Sequence, residues 1–284
     1  MSQSTYIFSQ HVGHPHTHTV ILLHGRSSTA KEFATELFSL SDSSGLALPS
    51  LFPSFRWVFP DAGKRWCTAH KDERSAWFDT FSLDDLSQRQ DLQVAGLRDS
   101  IRHVGSVFES EVDLLGGHGD KVILGGFSQG AATALWSLFT GAILTKGGPR
   151  AFLGLSPWLP FTAEAEQAVA KADDMSKLSL EVVQSLTTRF LDIIGVPEFA
   201  PIEDIQNCFS NLNVCLGHDT EDAVVRFEYC QRIHKLLQKL RVNAQLYTYS
   251  GAERQGHWIK EPEQMDDITR LLRKWTTGYK IDES

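Results

Sequence analysis

The chain has 284 residues, 42% hydrophobic and 22% charged, with a formal net charge of −8. That is ordinary globular composition with enough apolar mass for one sizeable core, so residues 1–284 read as a single domain. The acidic balance gives no basic field to draw in nucleic acid, which drops out as a partner.

The first twenty residues carry no basic stretch followed by an apolar one, so they do not read as a secretion signal. The apolar runs are strand-length, and no transmembrane segment is expected. Cys67, Cys208, Cys215 and Cys230 are scattered without metal or redox spacing, which points to free thiols and a cytoplasmic location. His11, His14, His16 and His18 have no acidic or cysteine partner nearby and read as a solvated segment, not a metal site.

Along the chain, a strand at 19–23 precedes a helix at 30–40, and a small insertion at 41–55 carries Pro49 and Pro53. A strand at 56–59, a helix at 86–107, a strand at 121–125 and a helix at 129–144 follow, then a strand at 150–155. The alternation resumes with a strand at 213–216, a helix at 223–240, a strand at 244–249 and a helix at 262–276. Short β-rich runs alternating with longer helical patterns predict βαβ units and a mainly parallel sheet flanked by helices. The stretch 161–212 interrupts this pattern. It carries helical signals at 163–171 and 178–194, then Pro197 and Pro201 as breakers. So long a connection is expected to be a helical lid or substrate wall, with a dimer interface or an extra packing helix as alternatives.

The chemistry concentrates at Gly126-Phe127-Ser128-Gln129-Gly130, which ends an apolar strand and opens an apolar helix. A nucleophile on such a turn has strained backbone angles, and its neighbours two before and two after must lack side chains. That context makes Ser128 the nucleophile and the fold an α/β-hydrolase. Serine needs a base within hydrogen-bond reach. Of the histidines beyond it, His234 lies inside an amphipathic helix and His218 precedes the acid cluster, whereas His257 follows the last strand in a loop. His257 is therefore the expected base. The acid belongs after the strand at 213–216, where Asp219, Glu221 and Asp222 stand without order alone separating them. Oxyanion donors are expected from the backbone N–H groups of Gln129 and of Arg26, in the loop after the first strong strand. His24, at that strand's end, reads as structural.

With these residues in place, the chain resembles the acyl-protein thioesterase and carboxylesterase family of small α/β-hydrolases, in a style closer to fungal members. The resemblance rests on VILLHGRSSTAKEF, FPDA at 59–62, WFD at 77–79, GGFSQGAATAL at 125–135, LSPWLP at 155–160, GHDTEDAVV at 217–225 and GHW at 256–258. It implies Ser128 and His257 as nucleophile and base, and its spacing after His218 selects Asp222 as the acid. Asp219 stands where the family usually has glycine, Ser27 stands where a second glycine is common, and the 161–212 stretch is longer than in compact relatives. The implied activity is hydrolysis of a carboxylic ester or thioester, with a small acyl ester or an acylated protein as substrate and no metal or organic cofactor. Trp77, Phe78, Trp158, Leu159 and Trp258 are expected to line an apolar acyl groove. Two other readings keep the same residues: an acyltransferase of secondary metabolism, and a non-catalytic ligand receptor on the same fold.

Overall fold

The computed structural model describes residues 4–144, 147–170 and 178–277. In chain order the elements are β1 (Thr5–Phe8), β2 (His18–Leu23), α1 (Ala30–Ser39), α2 (Leu48–Leu51), β3 (Phe55–Pro60), β4 (Lys64–Cys67), β5 (Asp72–Ser75), α3 (Gln93–Leu114), β6 (Val122–Phe127), α4 (Gln129–Phe139), β7 (Ala151–Leu155), α5 (Thr162–Ala168), α6 (Leu180–Ile194), α7 (Ile202–Asn211), β8 (Asn213–Asp219), α8 (Phe227–Lys239), β9 (Asn243–Tyr249) and α9 (Glu263–Thr277). Seven strands form one sheet in the order β1-β3-β2-β6-β7-β8-β9, and β4 pairs with β5 in a separate hairpin. Every neighbouring pair in the main sheet is parallel except β1 with β3.

Parallel strands covered on both faces need apolar residues at successive positions. In β2, Ile21 and Leu23 face the cluster built with α3 and α4, while Val20 and Leu22 face the cluster with α1 and α9. In β6, Leu124 and Ile123 divide the same way. The first helix is fixed by a reciprocal capping box, with Thr29 and Glu32 each accepting the other's backbone N–H.

All six predicted strands form. Two further strand features escaped the periodicity: β1, a four-residue edge strand, and the β4–β5 hairpin, whose charged sequence carries no apolar alternation. Helix starts shift for local reasons. Ser82 Oγ accepts the N–H groups of Asp84 and Asp85, and Asp85 accepts that of Ser87, so α3 begins at Gln93 and not at 86. Asp222 Oδ1 takes the N–H groups of Val224 and Val225, which holds α8 back to Phe227. Pro201, read as a breaker, is the residue before α7, where proline suits a helix start.

The 161–212 stretch contains α5, α6 and α7; position 171, the end of the predicted 163–171 helix, lies outside the described residues. Helix α6 is capped by Ser179 and closed by Gly195. Its apolar face does not lie over the catalytic edge. Val183, Leu186, Phe190 and Ile194 are fully buried in the core shared with α3 and α4. The Phe190 ring lies 4.2 Å from that of Trp136, Thr187 Oγ1 donates to Phe139 O at 3.0 Å, and Arg98 Nε donates to Ile194 O.

Candidate active site

The turn from β6 into α4 places Ser128 above the sheet with φ 53° and ψ −118°. This backbone is rarely adopted by a side-chain-bearing residue and is held by its surroundings. Ser128 N donates to Leu155 O at 2.8 Å. A Cβ on Gly126 would meet Gly130 C at 2.6 Å, and one on Gly130 would meet Leu23 O at 2.2 Å. Both glycines are therefore required by close approach, as the motif predicted.

His257 arrives on the loop between β9 and α9, with Nε2 3.0 Å from Ser128 Oγ and Nδ1 2.7 Å from Asp222 Oδ2. The acid loop follows β8. Asp222 Oδ1 accepts the Val224 and Val225 N–H groups at 2.8 Å each, and Oδ2 also lies 3.2 Å from His218 Nε2. Burial opposes ionisation of this carboxyl, but the hydrogen bonds from His218 and His257 and the neighbouring His257 charge outweigh it, holding Asp222 well below the usual carboxylate range. Asp219 is also buried but turns elsewhere. Its Oδ1 accepts Glu221 N at 2.8 Å and its Oδ2 accepts Ala252 N at 2.7 Å, tying the acid loop to the loop that carries His257.

The loop after β2 is a tight turn. Ser28 N donates to Gly25 O at 3.3 Å and Ser27 N to Ser75 O at 2.8 Å, leaving the Arg26 N–H without an acceptor among the described residues. Ser27 sits at φ 67°, a left-handed conformation that suits glycine. Gln129 opens α4, so its N–H is one of those a helix leaves without an internal acceptor. Both residues line the cavity that holds Ser128. His24 is fully buried, with Nδ1 2.8 Å from Gly25 O and Nε2 accepting Ala62 N at 3.0 Å, the structural role expected of it.

The five aromatic and aliphatic candidates separate. Trp158 and Trp258 line the cavity, with Phe33, Leu83, Phe127 and Val224. Trp77, Phe78 and Leu159 are not among its lining residues; all three are fully buried in the core. Trp77 has a positioning task instead. Its indole N–H donates to His24 O at 2.8 Å, and its backbone N–H donates to Gln129 Oε1 at 3.0 Å. Gln129 Nε2 in turn donates to Phe78 O and Thr80 Oγ1. This network fixes the start of α4 against the 77–80 loop.

Sequence reasoning missed four contributors. His218 stands four residues before Asp222, a spacing that could have flagged it. Asp219 was read only as a competitor for the acid. Glu36 of α1 and Arg254 pair at 2.9 Å at the cavity, and the Arg254 guanidinium lies 3.9 Å over the Trp258 ring; nothing in the one-dimensional pattern joins them.

A glycine-flanked serine on the tight turn between a parallel strand and a helix, on a sheet covered by helices on both faces, defines the α/β-hydrolase class. Within it, residues 7–180 match the family model described as phospholipase/carboxylesterase. The chain belongs to that family, and it is a serine hydrolase acting on carboxylic esters or thioesters. Among curated proteins, acyl-protein thioesterase 1 of Cryptococcus neoformans is 28% identical over 79% of this chain and 74% of its own length. Acyl-protein thioesterase 1 of Mycosarcoma maydis is 27% identical over 95% of this chain and 96% of its own. In fold, the chain is similar to the crystal structure of Zea mays acyl-protein thioesterase 2, with TM-score 0.65, 23% identity and coverage of 97% and 100%.

Proposed function

We propose that Ser128, His257 and Asp222 form the catalytic triad, and that the N–H groups of Arg26 and Gln129 form the oxyanion hole. The observation that carries this is the unbroken hydrogen-bond chain, 3.0 Å from Ser128 to His257 and 2.7 Å from His257 to Asp222. Ser128 Oγ attacks the acyl carbonyl carbon while its proton passes to His257 Nε2. The carbonyl oxygen becomes an oxyanion held by the two N–H groups. His257 then protonates the departing thiolate or alkoxide, leaving an acyl-serine. Water attacks that ester, gives its proton to His257 and releases the carboxylic acid as Ser128 recovers its proton. Asp222 keeps His257 in the tautomer with hydrogen on Nδ1 and stabilises the imidazolium.

The relatives named acyl-protein thioesterase support an acylated protein as substrate, and a small acyl ester fits the same chemistry. No helix of the described residues is long and apolar enough to cross a membrane. The four cysteines are unpaired in the structure, which supports a cytoplasmic setting. The test is turnover of a p-nitrophenyl ester by the wild type and by Ser128→Ala. A loss of at least about 10³-fold is expected, and an alanine variant that retains turnover would overturn the assignment.

A further inference from the structure

From the shape of this cavity we infer a substrate class: the enzyme acts on short acyl groups, and Trp158 is the residue that limits their length. The inference rests on Ser128 being the nucleophile. The cavity at Ser128 measures about 230 Å³, below the range of about 300–1,000 Å³ typical of small-molecule sites. On the scale at which about 150 Å³ holds a benzene ring, about 230 Å³ takes on the order of nine heavy atoms. An octanoyl group fills that space, and a palmitoyl chain is far too large for it.

The walls explain why the cavity does not extend. Phe33, Phe127 and Trp258 form an aromatic cluster in its lining, with Phe127 and Trp258 centroids 5.1 Å apart and Phe33 and Phe127 6.2 Å apart. Trp158 also lines the cavity, only 1% exposed, with its ring edge-on to Phe78 at 5.6 Å. Phe78, against which its ring packs, and its chain neighbour Leu159 are fully buried in the same core cluster, so Trp158 is backed by packed side chains. A chain that outgrew the cavity would leave by its mouth, where the Glu36–Arg254 ion pair stands. Methylene groups gain little by lying against paired charges in water, so each carbon beyond the cavity's capacity adds little binding.

The experiment is a series of p-nitrophenyl esters and matching acyl thioesters from acetyl to palmitoyl, each below its aggregation limit. The expected kcat/KM rises to a maximum between butanoyl and octanoyl and falls at least tenfold by dodecanoyl. Trp158→Leu, which shortens the stop, should move the maximum to longer chains. Should that variant fail to fold, inhibition of the wild type by free carboxylates gives the same reading, with octanoate binding and palmitate not. A wild-type rate still climbing through dodecanoyl and palmitoyl would overturn the inference and leave the triad standing. Hydrolysis of the whole series unaffected by Ser128→Ala would instead overturn the triad.

Discussion

Asp222 is shielded from water, with His257 and the N–H groups of Val224 and Val225 directed at it and His218 Nε2, which also lies 2.9 Å from Val225 O, 3.2 Å away. So surrounded, it stays ionised well into acid, and its charge is available to the His257 imidazolium whenever that forms. Asp222→Asn should cost about 10³- to 10⁴-fold in kcat with little change in KM, because the amide favours the wrong imidazole tautomer. Asp219→Asn should be mild in turnover, since its carboxylate touches backbone N–H groups and not His257. Kinetics of the two variants side by side check this, and reversed effects would reassign the acid. The sequence left these two carboxylates open from residue order; family spacing chose Asp222, and the geometry separates them by what each accepts. What spacing did not convey was that Asp219 holds two loops together.

The thiols give a second prediction at this scale. Burial pushes Cys208 and Cys215 up to about 12 and raises Cys67 and Cys230 as well. Thiolate is the reactive form, so iodoacetamide at pH 7.5 should leave all four unmodified in the native protein. Mass spectrometry before and after unfolding reads the result; rapid native labelling would contradict the burial.

At the scale of elements, the long segment between β7 and β8 is the least legible part of the sequence. Its helical signals and position after β7 were legible, but which surface its apolar face would cover was not, because periodicity gives a face and not its partner. In the structure that face meets Trp136 and Phe139 of α4. We therefore read α6 as scaffold. Phe190→Ala should lower stability by about 3–5 kcal/mol and leave the acyl chain-length profile of kcat/KM unchanged. Denaturant unfolding and the ester series measure the two effects. A profile displaced toward long chains, in a variant that still folds, would make the segment a wall of the site. The β4–β5 hairpin shows the converse limit. Its sequence has no apolar rhythm, yet Ser75 O fixes the loop that presents the Arg26 N–H.

Across the whole molecule, the alternation of strand and helix was legible because each central strand is buried on both faces and the amphipathic helices α1, α3, α6 and α8 on one, while α4 is buried all round. The cavity was not. Its lining comes from the loop after β2, α1, the 80–83 loop, the turn at Ser128 and the loops after β7, β8 and β9, which the strand order of the sheet brings together. The histidines add a global property. Burial lowers His16, His24 and His103, and burial with the nearby Lys121 charge lowers His18 to about 4. For each, the unfolded chain binds the proton more tightly than the folded one, so the stability this contributes is complete above about pH 6.5. For His18 it is lost as pH falls from there toward about 4. Thermal melts should show Tm declining over that interval, and His18→Gln should make the decline shallower; a slope unchanged in the variant would contradict the role of His18.

The central claim is that an acyl group passes through Ser128. Rapid acid quench during turnover of p-nitrophenyl butanoate, followed by proteolysis and fragment mass spectrometry, tests it directly. A butanoyl adduct is expected on Ser128, reduced or absent in His257→Ala and missing in Ser128→Ala. An adduct on another residue, or undiminished turnover with Ser128 unmodified, would contradict it.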